Sequence, residues 1–337
     1  MQHAYNLDDV DKRKLSFLYG HSGITQRYSV IEDFSKAAGN WTFIPNETNA
    51  TFPSLEKRLD LYQLHALPLS ISAINNCIDG FNKPAEITHL ITVSCTGMSA
   101  PGLDLQIAEA LDLSPDLFRT SVNFMGCYAA IHAMKIAKMI CDSTADANVI
   151  IVSTELCTLH FQKEYTLDSA ASSLLFSDGS AAMLLSNIKS NTQSLSIKNF
   201  YSQVALKGKN DMAWEINSKG FLMKLSSYIP QLIHEDISQL VETSLQKAGL
   251  KKEDITHWCI HPGGKKILEV IQKQLHLSDE DLKFSRDILS KFGNMSSTTI
   301  LFVLKEIIAS IEEKDAVIFG VAFGPGLTME TFIASNK

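Results

Sequence analysis

The sequence predicts an α/β protein built from two related halves. Three observations indicate this. Strands and helices alternate from Thr88 onwards, the predicted strands are short and mostly apolar, and each half has a strand that leads into a buried helix through a glycine-containing turn. Apolar strands between helices are typical of a buried, largely parallel sheet. The two strand-turn-helix segments, 123–127 and 292–296, indicate a duplicated unit in which helices sandwich and separate two sheets.

The predicted elements follow a regular order. The first 90 residues are expected to form helices and loops, including a helix over 61–78 that ends at Asp79-Gly80, a common stop signal. The later helices are predicted over 103–113, 127–140, 238–247, 265–275 and 295–310. The strands are predicted over 89–94, 120–124, 148–153, 181–185, 195–201, 256–260, 315–323 and 327–333. The helix over 295–310 is apolar nearly all round, which favours a buried position.

Composition and charge exclude several classes of protein. The chain has 337 residues, of which 45% are hydrophobic, and its formal net charge is −7. Because no basic block stands out, a nucleic-acid partner is not expected. The N-terminus lacks the apolar core of a signal peptide, and no run of about 18 apolar residues occurs, so we expect no secretion signal and no membrane span.

Cysteine usage indicates a reducing compartment. The six cysteines form neither a CxxC pair nor a metal-ligand spacing. We therefore expect a cytoplasmic protein with reduced thiols and no metal site.

Cys127 is a candidate nucleophile. It directly follows Gly126 and opens a predicted helix. A thiol at a helix N-terminus faces unpaired backbone N–H groups and the positive end of the helix dipole, and both favour the thiolate. We therefore expect its pKa to lie below the usual value of about 8.5. A cysteine considered alone is more often a buried structural residue, so the assignment depends on its partners.

Two further residues complete a set suited to thioester chemistry. His261 ends an apolar strand and precedes a Pro-Gly-Gly sequence, in which glycine lets a ligand approach the backbone closely. Asn294 precedes the buried helix, where an asparagine is ordinarily an N-cap. Together with Cys127, His261 and Asn294 can form a site for thioester chemistry. The thiolate attacks an acyl carbonyl, and the imidazole and the amide donate hydrogen bonds to an oxyanion or enolate.

Six short blocks spread along the chain form a specific set. They are SCTG (94–97) with APGLD (100–104), MGCYAA (125–130), LFSDGS (175–180), IHPGG (260–264), GNMSS (293–297) and FGPGL (323–327). In type and order they resemble those of the type III polyketide synthases, the chalcone synthase-like group of the thiolase superfamily. The resemblance extends from about residue 11 to residue 333. It implies a homodimer with a thiolase-like, duplicated αβαβα layered fold. Residues 1–187 would form the half that carries the cysteine, and residues 188–337 the half that carries the histidine and the asparagine.

The resemblance also implies the reaction, which is a decarboxylative condensation of malonyl thioester units onto an acyl-thioester starter. Cys127 would carry the growing chain, while His261 and Asn294 would promote malonyl decarboxylation and stabilise the enolate. No metal or redox cofactor is implied. The implied substrates are acyl thioesters, usually of coenzyme A.

Five side chains are placed at a substrate cavity by the same resemblance. Phe176 matches an aromatic gatekeeper between the substrate tunnel and the cavity, and Met223 stands where plant enzymes have a second phenylalanine. His160 occupies a position that is small or hydroxyl-bearing in plant enzymes. Cys95 and Cys157 fall at neighbouring positions. We therefore expect a cavity that differs from plant enzymes in volume and polarity, and we predict no particular product.

The residues implied for coenzyme A binding are Lys14, Lys266, Gly263 and Gly264. Two other positions that are basic in the family, 17 and 21, hold phenylalanine and histidine. Because part of the basic set is missing, an acyl carrier protein stays open as the donor of the starter, beside acyl-CoA and malonyl-CoA.

Two other functions fit parts of this sequence. One is a single-round 3-ketoacyl synthase, which shares the cysteine, histidine and asparagine, usually in different local contexts. The other is a non-catalytic partner subunit that keeps the fold, although all three catalytic residue types are present here.

Overall fold

In the part of the chain that the structure describes, helices predominate before residue 88, and strands interspersed with helices follow. The computed structural model describes residues 5, 7–37, 39–46, 51–79, 86–162, 164–188, 194–226 and 228–336. The α-helices are labelled α1 (Asp9–His21), α2 (Leu55–Ile78), α3 (Leu103–Ala110), α4 (Ala129–Ser143), α5 (Leu167–Leu175), α6 (Ile229–Ala248), α7 (Lys265–Leu275), α8 (Lys283–Phe292) and α9 (Thr299–Ser310). The strands are labelled β1 (His89–Ser94), β2 (Phe118–Asn123), β3 (Asn148–Leu156), β4 (Asp178–Ser186), β5 (Ser196–Val204), β6 (Met212–Asn217), β7 (Gly220–Leu225), β8 (His257–Ile260), β9 (Val317–Gly324) and β10 (Thr328–Ser335).

The strands form two four-stranded sheets and a separate hairpin. In the first sheet, of order β2-β1-β3-β4, β1 pairs in parallel with β2 and β3, and β4 runs antiparallel to β3. In the second, of order β5-β10-β9-β8, β8 and β9 are parallel, and β10 runs antiparallel to both β5 and β9. β6 and β7 pair with each other. Each sheet is therefore built from one half of the chain, and the predicted α/β class is confirmed.

The two sheets are separated by a central layer of helices. Side chains of α4 and α9, such as Ala133 and Val303, share one core with the inner faces of both sheets, represented by Ile151 and Ile318. α2 and α3 pack on the outer face of the first sheet, and α6 and α7 pack on the outer face of the second. The layers thus follow the order α, β, α, β, α that the resemblance implies.

The same local structure precedes each central helix. A 3-10 turn over Gly126–Tyr128 leads from β2 into α4, and a 3-10 turn over Ser296–Thr298 leads into α9. The second turn follows helix α8, so the strand predicted before it in segment 292–296 is wrong. The two turns contact each other. The N-terminal ends of the two central helices, one from each half, therefore meet at a single place.

The predicted parallel pairing is correct for the first sheet and wrong for most of the second. The cause is the short connection Pro325–Leu327 between β9 and β10. A connection of this length can only return the chain beside the strand it has just left, so the two strands must be antiparallel. Both strands are nonetheless buried along nearly their whole length. The continuous apolar sequences of β9 and β10 therefore indicate that the strands are buried, but they do not indicate whether neighbouring strands are parallel.

Several elements were missed or misplaced in the sequence prediction. α5, α8 and the β6–β7 hairpin were not predicted, and α6 begins at Ile229 and not at position 238. α4 and α9 begin at Ala129 and Thr299, after their 3-10 turns. Strands β6 and β7 are only partly buried, so apolar and polar residues do not alternate clearly along them.

We predict that Gly126→Ala destabilises the protein more than Gly249→Ala does. Both glycines have positive φ, +78° and +68°, so alanine is strained at either position. A Cβ at position 126 would also lie 2.2 Å from Cδ of Pro325, whereas one at position 249 would meet nothing within 4 Å. We expect losses of unfolding free energy of about 3 kcal/mol and about 1 kcal/mol respectively. Urea denaturation measures both, and equal losses would contradict the packing argument.

Candidate active site

Cys127 lies in the 3-10 turn between β2 and α4. Gly126 makes this turn possible through its positive φ, and its backbone N–H donates a hydrogen bond of 3.1 Å to Sγ of Cys95. The ring of Pro325, from the turn between β9 and β10, closes over Gly126 from the other half of the chain. The position of the thiol is therefore fixed by both halves.

His261 follows directly after β8 and is 1% exposed. Its backbone N–H donates to the carbonyl of Val321 at 2.9 Å, which continues the pairing of β8 with β9. Both ring nitrogens are buried and have no hydrogen-bond partner within the described part of the chain. Burial lowers the pKa of this imidazole to about 3, so the ring is neutral at physiological pH.

Asn294 stands between α8 and the second 3-10 turn. Its Oδ1 accepts hydrogen bonds from the backbone N–H of Ser296 at 2.8 Å and from the hydroxyl of Thr299 at 3.3 Å. The side chain therefore does cap the turn, as the ordinary explanation of an asparagine here requires. This cap fixes the amide group, which favours the thiolate of Cys127 and so acts to lower the pKa of that thiol.

One cavity brings the three residues together. Its volume is about 40 Å³, and Cys127, His261 and Asn294 all line it. Of the other residues singled out from the sequence, Cys95, Cys157, Phe176, Met223 and Gly263 line it as well. Residues from several segments that are far apart in sequence therefore converge on the thiol.

The electrostatics of the thiol differ from the sequence expectation. Burial raises the pKa of Cys127 to about 12; hydrogen bonds from Ser296 and Asn294 favour the thiolate, and the nearby carboxyl of Glu155 opposes it. The expected lowering by a helix dipole does not dominate, because α4 begins only at Ala129 and the thiol lies inside the protein. With only protein groups around them, the thiol and the imidazole are therefore both neutral.

Comparisons with known proteins agree with this geometry. The family model "Chalcone and stilbene synthases, N-terminal domain" matches residues 4–187, and the corresponding C-terminal domain model matches residues 197–336. "Alpha-pyrone synthesis polyketide synthase-like Pks18" of Mycobacterium tuberculosis is 30% identical over 331 residues, covering 96% of this chain and 82% of that protein. "Type III polyketide synthase A" of Arabidopsis thaliana is 30% identical over 337 residues, covering 96% and 83%.

Solved structures show the same relationship. The C-terminal type III polyketide synthase domain of Steely1, from Dictyostelium, superposes with a TM-score of 0.89 at 25% identity, covering 99% of this chain and 93% of that one. PKS-I from the brown alga Ectocarpus siliculosus superposes with a TM-score of 0.87 at 27% identity, covering 97% and 90%.

The chain belongs to the chalcone and stilbene synthase family. Like the type III polyketide synthases it matches, it is a condensing acyltransferase that joins malonyl thioester units to an acyl-thioester starter through decarboxylation. The family and the thiolase-like fold predicted from the sequence blocks are thereby confirmed. A single-round ketoacyl synthase is not favoured.

In this polyketide synthase a second cavity, of about 60 Å³, adjoins the first. Phe176, Met223, Cys157 and Trp214 line both cavities and so form the wall between them. Of the predicted cavity residues, His160 lines the second cavity and not the one that holds Cys127.

His160 is fully engaged by the protein. Its Nε2 lies 2.7 Å from the carbonyl oxygen of Thr96, and its Nδ1 accepts a hydrogen bond of 3.1 Å from the backbone N–H of Phe221. The ring stacks on that of Phe221 at a centroid distance of 4.2 Å and packs edge-on against Trp214. Burial lowers its pKa to about 3. His160 therefore joins the β6–β7 hairpin to the wall of the active site and is not a free polar group.

Two residues of the site were missed by the sequence argument. Trp214 lies on the hairpin that was not predicted, and its indole N–H donates to the carbonyl of Cys95 at 2.5 Å. Glu155, fully buried beside Cys127, accepts hydrogen bonds from Cys95 N at 2.9 Å and from the Thr96 hydroxyl at 3.0 Å. A sequence signal for Glu155 was available, since it is the one charged residue in the segment NVIIVSTEL over 148–156.

The predicted coenzyme A residues lie outside the two cavities, except for Gly263. The Lys14 ammonium lies 2.8 Å from Oδ1 of Asp11 on the same helix. Lys266 is exposed in the first turn of α7, and the stem of its neighbour Lys265 packs against Gly23, just beyond α1. The start of α7 and the end of α1 therefore adjoin. Across the described ranges, no group of three or more His, Cys, Asp or Glu side chains is placed to hold a metal ion, and no helix is long and apolar enough to cross a bilayer.

We predict that His160→Ala lowers the free energy of unfolding by about 2–4 kcal/mol, because it removes two buried hydrogen bonds and a ring stack. Thermal melting measures the loss, and the fluorescence of Trp214 reports whether the hairpin has moved. In the wild type, histidine NMR signals assigned with this variant should show that the His160 ring stays neutral at pH 5. A normal melting temperature or a protonated ring at that pH would contradict the anchoring role.

Proposed function

We propose that Cys127 carries the acyl chain and that His261 and Asn294 bind the thioester oxygen on which negative charge develops. The thiolate attacks the starter thioester and releases its thiol, which leaves an acyl group on Sγ. Malonyl thioester then loses carbon dioxide, and the electron pair of the broken bond forms an enolate. The enolate carbon attacks the acyl carbonyl, so that a β-ketoacyl thioester forms and the Cys127 thiolate is released.

The observation that carries this assignment is that the three side chains line one enclosed cavity. The two unpartnered nitrogens of His261 support it further, because a buried polar atom without a protein partner is available to a ligand. A neutral imidazole can accept the proton of the thiol and can also donate to an oxyanion. One such donor to a developing oxyanion typically contributes about 3–4 kcal/mol.

Acyl-CoA and malonyl-CoA are the proposed substrates. The solved structure of the related CsyB, with a TM-score of 0.88 and 25% identity, was determined as a complex with CoA-SH. Lys265 and Lys266 are exposed and follow the cavity residue Gly263 by two and three positions, and their amino groups are suited to the phosphates of such a ligand. Because Lys14 is paired with Asp11, a carrier protein also stays open as the source of the starter.

A homodimer is the proposed assembly. Strand β2 is the edge of the first sheet and pairs only with β1 among the described strands. It exposes the ring of Phe118, which is 57% accessible. An exposed edge strand that also presents a large apolar ring is a surface that proteins usually cover, and a second copy would cover it. We further propose that the reaction needs no metal or redox cofactor, and that the reducing cytoplasm keeps the six free thiols reduced.

We predict that Cys127→Ala abolishes condensation, because the starter has no atom to attach to. Intact-protein mass spectra after incubation with an acyl-CoA should show one acyl adduct on the wild type and none on this variant. Cys141→Ala, which removes a partly exposed thiol outside both cavities, is the matched control and should still be acylated. Malonyl-CoA decarboxylation should partly survive in Cys127→Ala, since His261 and Asn294 remain. Products formed at the wild-type rate would refute the assignment.

We predict that Met223→Phe changes the length of the product and leaves malonyl decarboxylation within about tenfold of the wild-type rate. Met223 lines both cavities, so a rigid ring there should narrow the passage between them and favour shorter chains. Met139→Phe, at a methionine exposed on α4, is the control. Product masses from several acyl-CoA starters give the answer. An unchanged range of product lengths in Met223→Phe would show that Met223 does not limit the space in which the chain grows.

A further inference from the structure

A segment between α1 and the rest of the N-terminal half, residues 24–31, crosses the protein close to the active site; we call it the strap. The backbone N–H groups of Thr25 and Gln26 donate to the carbonyl of Ser290 on α8, at 2.9 and 3.1 Å. Further along, the carbonyl of Tyr28 accepts from the backbone N–H of Asp178 at 2.9 Å. The strap therefore connects the C-terminal half, at α8, to the start of β4 in the N-terminal half.

Beneath the strap, the two halves are joined by a short backbone pairing. The N–H of Asn294 donates to the carbonyl of Leu175 at 2.9 Å, and the N–H of Ser177 donates to the carbonyl of Asn294 at 2.9 Å. Phe176 and Asn294 thus form an isolated parallel bridge. The bridge sets a residue of the cavity wall and a residue of the proposed oxyanion site relative to each other.

Arg27 of the strap contacts both sides of this bridge. Its Nη1 donates to the carbonyls of Ser173 and Phe176, at 2.5 and 2.8 Å. The stem of the same side chain lies against Gly293, where an added Cβ would be 3.0 Å from Cγ of Arg27. Gly293 has a φ of +71° and brings no side chain of its own, so Arg27 fills the space beside the peptide that leads into Asn294.

We propose that Arg27 is a positioning residue, which acts through the Phe176–Asn294 bridge to aim the Asn294 amide at the reacting thioester. The guanidinium fixes the Phe176 side of the bridge, and the stem fixes the Asn294 side. At this junction the halves are joined by one pair of backbone hydrogen bonds and by the Ser177 hydroxyl, which donates to the carbonyl of Phe292, so Arg27 adds its contacts to a small set. A displacement of about 1 Å in a catalytic group can reduce a rate by about 10²-fold.

The inference rests on the role proposed above for Asn294. From that role we expect loss of Arg27 to affect the rates of decarboxylation and acylation differently. Malonyl decarboxylation needs the amide, because the enolate oxygen takes its hydrogen bond. Acylation of Cys127 by a starter depends mainly on the thiol, which the other 3-10 turn holds, and the amide contributes less to this step because His261 also binds the thioester oxygen. Loss of Arg27 should therefore lower the kcat of decarboxylation more than the rate of acylation, whereas simple destabilisation would lower both.

The test uses Arg27→Lys, Arg27→Ala and Asn294→Ala, and each Arg27 variant combined with Asn294→Ala. Conversion of malonyl-CoA to acetyl-CoA and carbon dioxide gives kcat and KM, and intact-protein mass spectra give the rate of acylation. We expect Arg27→Ala to lower kcat by about 10- to 100-fold with acylation within about threefold. Arg27→Lys, which keeps a charge and a donor, should recover part of the rate. Neither change should lower the rate further once Asn294 is alanine, because residues that act as a unit are not additive.

Arg58→Lys is the matched control. Arg58 is also a buried arginine that donates to backbone carbonyls, those of Pro53 and Phe161, both at 3.0 Å, but it has no contact with the bridge. In the double variant, the fold-loss in kcat caused by Arg58→Lys should multiply with the fold-loss caused by Asn294→Ala. Two results would show that Arg27 does not act through Asn294. One is that the fold-losses of Arg27→Lys and Asn294→Ala multiply in the same way, and the other is that the rates of acylation and decarboxylation fall together. Wild-type decarboxylation by Asn294→Ala alone would instead overturn the proposed role of the amide, and this inference with it.

Discussion

The contact between the two 3-10 turns at the starts of α4 and α9 is the constraint on which the active site depends. One turn carries Cys127, and the other begins two residues after Asn294. Each turn is the N-terminal end of a helix that is buried between the two sheets, so neither can move without repacking the central core. The four alanines of α4 at positions 129, 130, 133 and 137 are fully buried, and their small size lets the central layer pack closely.

Burial also sets the charge state of the site. The thiol, the imidazole and the carboxyl of Glu155 all lie where an unpaired charge is costly, so their pKa values shift towards the neutral forms. Glu155 is satisfied by three donors, the backbone of Cys95 and the hydroxyls of Thr96 and Ser297. Among the residues that the structure describes, the ring nitrogens of His261 have no such partners. The site therefore holds one polar group, Glu155, with all its hydrogen bonds made and another, His261, that can still bond to a ligand. Such a site suits a substrate that supplies the missing hydrogen bonds and becomes charged only during the reaction.

Much of the fold and part of the candidate site could be predicted from local sequence. Cys127, His261 and Asn294 stand where a strand or helix meets a glycine-containing turn, so the chain itself marks them. Arg27 and Trp214 have no such local sequence feature beside them. Arg27 bonds to carbonyls 146 and 149 positions away, and Trp214 to a carbonyl 119 positions away. The function of such residues comes from what folding brings beside them, and no pattern in neighbouring positions records it.

By itself, the sequence determined the α/β class, because apolar periodicity and turn residues are local properties of the chain. The family followed from the resemblance of six short blocks, which include Cys127, His261 and Asn294. Only the tertiary structure decided the antiparallel second sheet, the division of the cavity by Trp214 and Met223, the engagement of His160 by Phe221, and the neutral resting state of Cys127 and His261. Strand direction, cavity shape and pKa all depend on atoms that distant segments contribute. The positive end of a helix can favour a thiolate, but the enclosure of that thiol by the other half of the protein outweighs it.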